Sequence, residues 1–425
     1  MNNYFTETVW KIDVVLLFIA VFLTILLIAR MVFKNYLDNR RAQKLLSIKK
    51  NVYDLILSGK KIEKNIAFPL KDLEPNIFLD IATNRNRESA FFNKSEQEIL
   101  KEYFADKKHI PKLEKIVNKS GNKWSRIEAI LSIGYCEIDS LLPALKKSLW
   151  DNDEDIAYFT ILALAQLKTL DSAKTLLDFL KTRSFYRSKI VSVFGQFPHE
   201  ISGETMELVK SENPTVRFWG IKVLTEIKTH QYLHEIEQFT KDKSAEIRSA
   251  ACECLGASGN KNVVPALEAC LKDEMWLVRM SAVKAIERIL GTDSISIIIP
   301  LIKDNSWFVI DSAKNVIAKH IESAIPPIEK ILEGKDELAK KICIEAIETS
   351  GYVSRLYRDI FSGDTDKKKR ALSILSNILK SSPGYGLQTA LYDLNKDEML
   401  AVLQAFKTIN KEWVEAVEAK LGVKI

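Results

Sequence analysis

Glycine and proline are scarce in this 425-residue chain, at 15 and 11, and cysteine and histidine number five each. Sandwiches and barrels need turn residues in quantity, so the scarcity argues for helices joined by short connections. The cysteines (Cys136, Cys252, Cys254, Cys270 and Cys343) are odd in number and irregularly spaced. That excludes a disulfide framework and suits a reducing compartment. No segment is rich in Pro, Ser or Gln, which excludes a long disordered tail. A Gly-rich phosphate loop, a G-x-S-x-G elbow and a His-rich cluster are also missing.

Charge of one sign is lacking outside a single stretch. Lys34, Arg40, Arg41, Lys44, Lys49 and Lys50 face only Asp38, so this segment carries +5 of the chain's net +6. The remainder is near neutral and has no basic stripe of the kind that releases counterions from nucleic acid. Nucleic acid is therefore not an expected partner, and neither is a small-molecule substrate.

One long apolar run is present. Val14 to Phe33 is twenty residues with Thr24 and Arg30 as its polar members, preceded by Asp13. That length crosses a hydrocarbon core of about 30 Å. The run exceeds a signal-peptide core, no small-x-small cleavage site comes after it, and the cations lie beyond it. Residues 13–33 are expected to be an uncleaved transmembrane helix. Arg30 would lie near one face with its guanidinium among the headgroups. The flank of Arg30, Lys34, Arg40, Arg41 and Lys44 puts everything after it in the cytoplasm by the positive-inside rule. Residues 1–12 would form a short tail outside, and 34–94 a basic helical stalk and connector.

The greater part of the chain is repetitive. Arg217, Arg248 and Arg279 are separated by 31 residues each, and further steps land on Ile310 and Lys341. Backward steps reach Arg187, Ala157 and Arg126 with single-residue slips. Six residues before this position stand Asp151, Asp242, Asp273 and Asp304, with Ser211 in the equivalent place. Asp and Ser are N-cap types, which predicts a helix opening at each. Small residues recur inside these first helices, as in Ser249-Ala250-Ala251-Cys252, and let neighbours approach closely. A second amphipathic helix comes after a short turn, with Pro265, Pro300 or Pro326-Pro327 near its start, where a missing amide is tolerated. At 425 residues one compact core is excluded, but an array buries each unit against its neighbours.

A unit of this length, with Asp before the first helix, Val-Arg six residues on and Pro opening the second helix, resembles the HEAT repeat. More narrowly it resembles the short bacterial HEAT-like type named after phycobilisome lyases. The resemblance implies an all-α fold, an α-α superhelix or solenoid, here preceded by one transmembrane helix. It spans 95–425 in about nine units and is clearest over 124–332. It also implies that Asp and Arg stack between repeats as a ladder of ion pairs and caps: Asp151, Arg187, Arg217, Asp242, Arg248, Asp273, Arg279 and Asp304. Ala157 and Ile310 replace Arg in their repeats, so the ladder is expected to break there. Exposed pairs contribute about 0–1 kcal/mol each, so a break need not unfold the array.

Patterns that carry chemistry are few. His199-Glu200 and His234-Glu235 resemble the iron-binding dipeptides of the HEAT-like deoxyhypusine hydroxylase family. That family needs four in register, and these two are out of phase. Cys252 and Cys254 point about 200° apart on a helix, which argues against zinc and for buried thiols. No catalytic, cofactor-binding or metal-ligating residue is assigned, and no cofactor is expected. Trp124, Trp276 and Trp307 share a place just before the in-phase residue. They form a candidate interaction surface, with packing between repeats as the simpler account. The second helices carry charges of both signs and point to no ligand class.

The pattern as a whole implies a membrane-anchored HEAT-repeat scaffold at the cytoplasmic membrane face, binding a membrane-associated protein partner. An accessory subunit of a membrane complex, for example an envelope or polysaccharide-synthesis enzyme, is one form of it. The alternative is a HEAT-like enzyme of the lyase or metal-dependent hydroxylase type.

Overall fold

The computed structural model describes residues 22–37, 39–40, 43, 46–47, 109–381 and 385–422. The expected outer tail 1–12, residues 13–21 of the span, most of the connector 34–94 and residues 95–108 at the start of the expected array lie outside the described residues. Every regular element among the described residues is helical. Residues 22–37 form a helix whose apolar side chains, from Phe22 to Leu37, are exposed. Among the described residues no helix is long and apolar enough to cross a membrane.

The chain divides into two compact units, one of residues up to Thr182 with Gln196–Pro198, the other of Arg183–Gly195 and His199 onward. In the first unit the helices are α1 (Ile110–Lys119), α2 (Lys123–Tyr135), α3 (Leu142–Leu149), α4 (Glu154–Leu167) and α5 (Leu170–Thr182). Helices α2 and α4 pack side by side, while α1, α3 and α5 form a second layer against them. Asn122 accepts from the amides of Trp124 and Ser125 to start α2, and Asp153 does the same for α4 with Asp155 and Ile156. Each cap satisfies amides that the helix leaves open. Gly134 is where the first layer closes up, because a Cβ there would sit 2.5 Å from Ala163 Cα.

The second unit repeats the plan. It opens with α6 (Arg187–Val193) and α7 (Ser202–Val209), then α8 (Pro214–Ile227) and α9 (Leu233–Gln238). Next come α10 (Ala245–Ser258), α11 (Val264–Cys270), α12 (Trp276–Leu290) and the single turn α13 (Ile295–Ile298). The array continues with α14 (Trp307–Lys319), α15 (Ile321–Leu332), α16 (Glu337–Thr349) and α17 (Tyr352–Ile360). It closes with α18 (Thr365–Ser381), α19 (Tyr385–Thr389), α20 (Lys396–Lys407) and α21 (Lys411–Leu421). The even-numbered helices from α8 to α16 pack in sequence as one layer, each backed by its partner helix. Their inner faces are buried Ala, Val, Ile, Leu and Cys, each large aliphatic worth about 1.5–3 kcal/mol of burial. Tyr357 is fully buried in α17 and donates its hydroxyl to the Leu387 carbonyl at 2.8 Å, so its polar end is satisfied.

Two second helices differ from the sequence expectation. Pro326 and Pro327 do not open α15; they lie inside it. The helix begins at Ile321 because His320 alone separates it from α14, ending one helix and standing at the N-cap position of the next. Each proline then removes one intrahelical hydrogen bond. Pro300 lacks an amide where the α-helix would continue, and the chain from Ile299 to Lys303 tightens to a 3₁₀ helix.

Candidate functional site: a ladder between repeats and an exposed aromatic row

Four of the in-phase arginines, Arg126, Arg217, Arg248 and Arg279, point forward to the aspartate of the next repeat. Arg248 donates to Asp273 through Nε at 2.7 Å and Nη2 at 2.8 Å. Arg279 does the same to Asp304 at 2.8 and 2.7 Å. The remaining nitrogen turns back: Nη1 of Arg248 donates to the Asp242 carbonyl at 2.9 Å, and Nη1 of Arg279 to that of Asp273 at 2.7 Å. One guanidinium thus ties its own loop to the next repeat, using a fork geometry that lysine lacks. In the first unit Arg126 Nη2 reaches Asp151 at 2.6 Å.

The aspartates are not the N-caps expected of them. Each accepts from the amide two residues on, which is itself the N-cap residue: Asp273 from Met275 at 2.9 Å and Asp304 from Ser306 at 2.8 Å. Asp151 and Asp242 repeat this with Asp153 and Ser244, both at 2.9 Å. A short side chain closing on the amide at i+2 makes an Asx turn, and the helix starts only beyond it. The turn aims the carboxylate at the incoming arginine.

Burial acts most strongly on Asp273 and Asp304 and pushes their pKa values up. The hydrogen bonds from Arg248 and Arg279, with those from the loop amides, outweigh it and hold both below the ordinary carboxylate range. Asp151 is lowered by the Asp153 amide and Arg126 in the same way. Arg217 is a poorer rung. Its Nη2 lies 3.3 Å from Asp242, and its Nε is buried without a hydrogen-bond partner. Arg187 reaches no aspartate and donates through Nε to the Arg183 carbonyl at 2.8 Å.

Because Arg126 and Arg279 reach forward, Asp151 and Asp304 are both engaged, and the missing rungs fall one step later than the pairing within a repeat implies. Ala157 and Ile310 are buried apolar residues. Beyond Ile310, Lys303 Nζ instead meets Asp336 at 2.8 Å.

Of the candidate aromatics, Trp124 is 62% and Trp307 55% exposed, so packing between repeats does not account for them. Trp276 is half-buried and stacks on Phe308 of the next repeat, with centroids 4.4 Å apart. Phe308 and Leu338 are themselves 58% and 55% exposed. Trp276, Trp307 and Leu338 stand 31 residues apart in the first turns of α12, α14 and α16, making an apolar row along one edge of the layer. The ammonium of Lys314 lies 5.7 Å from the Trp307 ring, a cation–π distance.

His199 is exposed in a 3₁₀ turn, and the side chain of His234 is 88% exposed. Among the described residues no group of three His, Cys, Asp or Glu side chains is placed to hold a metal. All five cysteines are buried free thiols. The Cys270 thiol touches Cys252 and, with burial, pushes Cys252 up; burial lifts Cys254 to about 11 and Cys343 to about 12. Of the membrane flank, Arg30, Lys34 and Arg40 lie on exposed helical backbone, whereas Arg41 and Lys44 fall outside the described residues.

Several features share the sequence period without having been legible as part of it. Lys210, Lys241, Lys272 and Lys303 recur every 31 residues, exposed at the ends of second helices where a cation complements the dipole. Phe308 and Leu338 extend the apolar row. Glu287, half-buried in α12, accepts from Lys319 Nζ at 2.7 Å and lies 2.9 Å from His320 Nε2.

Residues 234–318 match the family model described as HEAT repeats, so α9–α14 carry HEAT repeats. Among solved structures the chain is similar to Kap121p bound to Ste12p, at 13% identity and a TM-score of 0.48, over 86% of this chain and 46% of that one. It is similar to Kap95p in its complex with RanGDP at 12% identity and a TM-score of 0.41, over 89% and 62%. A third likeness is to the CpcE–CpcF complex of phycocyanin lyase from Nostoc sp. PCC7120, at 14% identity and a TM-score of 0.27, over 61% and 93%. No curated protein matches the sequence.

Proposed function

We propose that this protein is a non-enzymatic scaffold of the short HEAT-like type, tethered to a membrane and presenting its repeat array to a protein partner. The observation that carries the reading is the row of half-buried Trp276 and exposed Trp307, Phe308 and Leu338 along the edge of the helix layer. Large aromatics at the surface are the usual centres of protein interfaces, and here they sit on rigid helix starts rather than on loops. The tether is the apolar run from Asp13 to Phe33. The cations from Arg30 to Lys50 favour an N-terminus outside and an array in the cytoplasm. An anchor raises the effective concentration of the array toward other membrane proteins, which suits an accessory subunit of a membrane complex.

The test is photocrosslinking in membranes from a reactive residue at position 307, compared with one at exposed Ser188. The reading expects a discrete protein adduct from 307 only, lost when Phe308→Ala is added. Adducts equally strong from both positions would sink it. So would stoichiometric iron or zinc in the purified protein that disappears with His199→Ala and His234→Ala.

A further inference from the structure

The layer of first helices closes tightly at one step and opens at the next. At Gly256 a Cβ would stand 2.7 Å from Ala285 Cα, so α10 and α12 meet backbone to backbone. One period on, the same two places hold Glu287 and Val316. These side chains cannot approach as Gly and Ala do, and a groove of about 390 Å³ lies between α12 and α14. Met280, Trp307 and Phe308 line its apolar end. Through Lys284, Glu287 and Lys319 it joins a second groove of about 750 Å³ that crosses α8, α10 and α12.

The charges along these grooves are largely neutralised from within. Lys222 pairs with Glu253, Lys319 and His320 with Glu287, and Asp311 with Lys314. Lys284 and Arg288 are exposed, one turn apart on α12, and have no ion-pair partner among the described residues. Glu226 is the one carboxylate of the lining without an ion pair among the described residues, so two cations outnumber one anion.

Met280, Lys284 and Arg288 therefore form a line on α12, apolar then cationic then cationic, in steps of about 6 Å. Alternate side chains of an extended strand recur at about 6.8 Å, nearly the same interval. We propose that this joined groove docks an extended acidic segment of a partner protein. An apolar side chain of the segment seats against Met280, Trp307 and Phe308. Carboxylates two and four residues along the segment meet Lys284 and Arg288. The inference rests on the scaffold reading and adds the chemistry of what the scaffold holds.

Selection of a random-peptide display library on the full-length protein tests it. Enriched sequences should carry the pattern apolar-x-acidic-x-acidic. Against a selected peptide, Lys284→Glu with Arg288→Glu should weaken binding about tenfold or more, and Trp307→Ala comparably. The charge-reversed protein should in turn select lysines at the acidic places. Both charges are exposed, so the double variant keeps its fold. Enrichment of neutral or basic peptides, or affinity unchanged by the double variant, overturns the inference. So does self-association, or binding of anionic vesicles, that the double variant abolishes while peptides do not compete. Peptides or crosslinks that map to other helices overturn this site but leave the scaffold standing. An array that yields no adduct and no peptide at any position loses both.

Discussion

At the residue scale the ladder separates two kinds of arginine. Arg279 is bound on both sides of its fork, and it and Asp304 each keep only 8% of their side-chain surface. Removing it strands a buried carboxylate, which typically costs about 3–5 kcal/mol. Arg217 also turns Nη1 back to the Ser211 and Glu212 carbonyls, but its forward side leaves Nε unpartnered and holds Asp242 by one long contact. Its removal should cost only about 1 kcal/mol. Hydrogen exchange of the flanking helices in the full-length protein checks the order: Arg279→Ala should deprotect α12 and α14 far more than Arg217→Ala does α8 and α10. The aspartates add a pH dependence. Their folded pKa values lie below the ordinary 3.8, so their contribution is complete above it and lost as pH falls through the lower folded values. Melting temperature should therefore be insensitive to these groups from pH 8 to 5 and drop below about 4. The acid limb should be shallower in Asp304→Asn.

At the element scale the close approach of α10 and α12 depends on one missing atom. Ala at Gly256 would put its Cβ against the backbone of Ala285, which no rotamer change relieves. The helices would have to separate, at about 1–3 kcal/mol. Gly121→Ala is the control, since nothing stands within 4 Å of it. A fall in unfolding midpoint for Gly256→Ala but not Gly121→Ala is the expected result; equal midpoints would show that the layer can yield there. Much of this level was legible in the sequence. The 31-residue step placed every first helix from α8 to α16, because helix packing imposes the period on Arg, Asp and small residues alike. The direction of the rungs was not legible, since a period does not say whether Arg248 reaches Asp242 or Asp273. The three-dimensional offset between repeats decides it. The Asx turns were hidden because Asp favours both a cap and the position two before it. The groove was readable in principle, from Glu287 and Val316 standing where the preceding repeat has Gly256 and Ala285. Such a substitution gains meaning only once the contact it replaces is known.

At the scale of the whole chain, stability is approximately a sum over repeats and their interfaces, so a weak rung is tolerated where neighbours hold. On the proposed membrane-tethered reading, placement of the array falls to the apolar run and its basic flank. Val14 to Phe33 is the longest apolar run in the sequence, and five of the six net positive charges lie within the seventeen residues after it. Only Glu7, Lys11 and Asp13 are charged before it. Each cation near an anionic leaflet is worth about 1 kcal/mol, enough together to hold the flank on one side. A phosphatase active only outside the cytoplasm, fused at the C-terminus, should therefore be silent, and the same phosphatase fused at the N-terminus ahead of the intact apolar run should be active. Neutralising Arg40, Arg41, Lys44, Lys49 and Lys50 while adding lysines before Asp13 should reverse the C-terminal signal. If the unaltered C-terminal fusion is active, the array lies outside. A partner in the cytoplasm is then excluded, whatever the aromatic row binds.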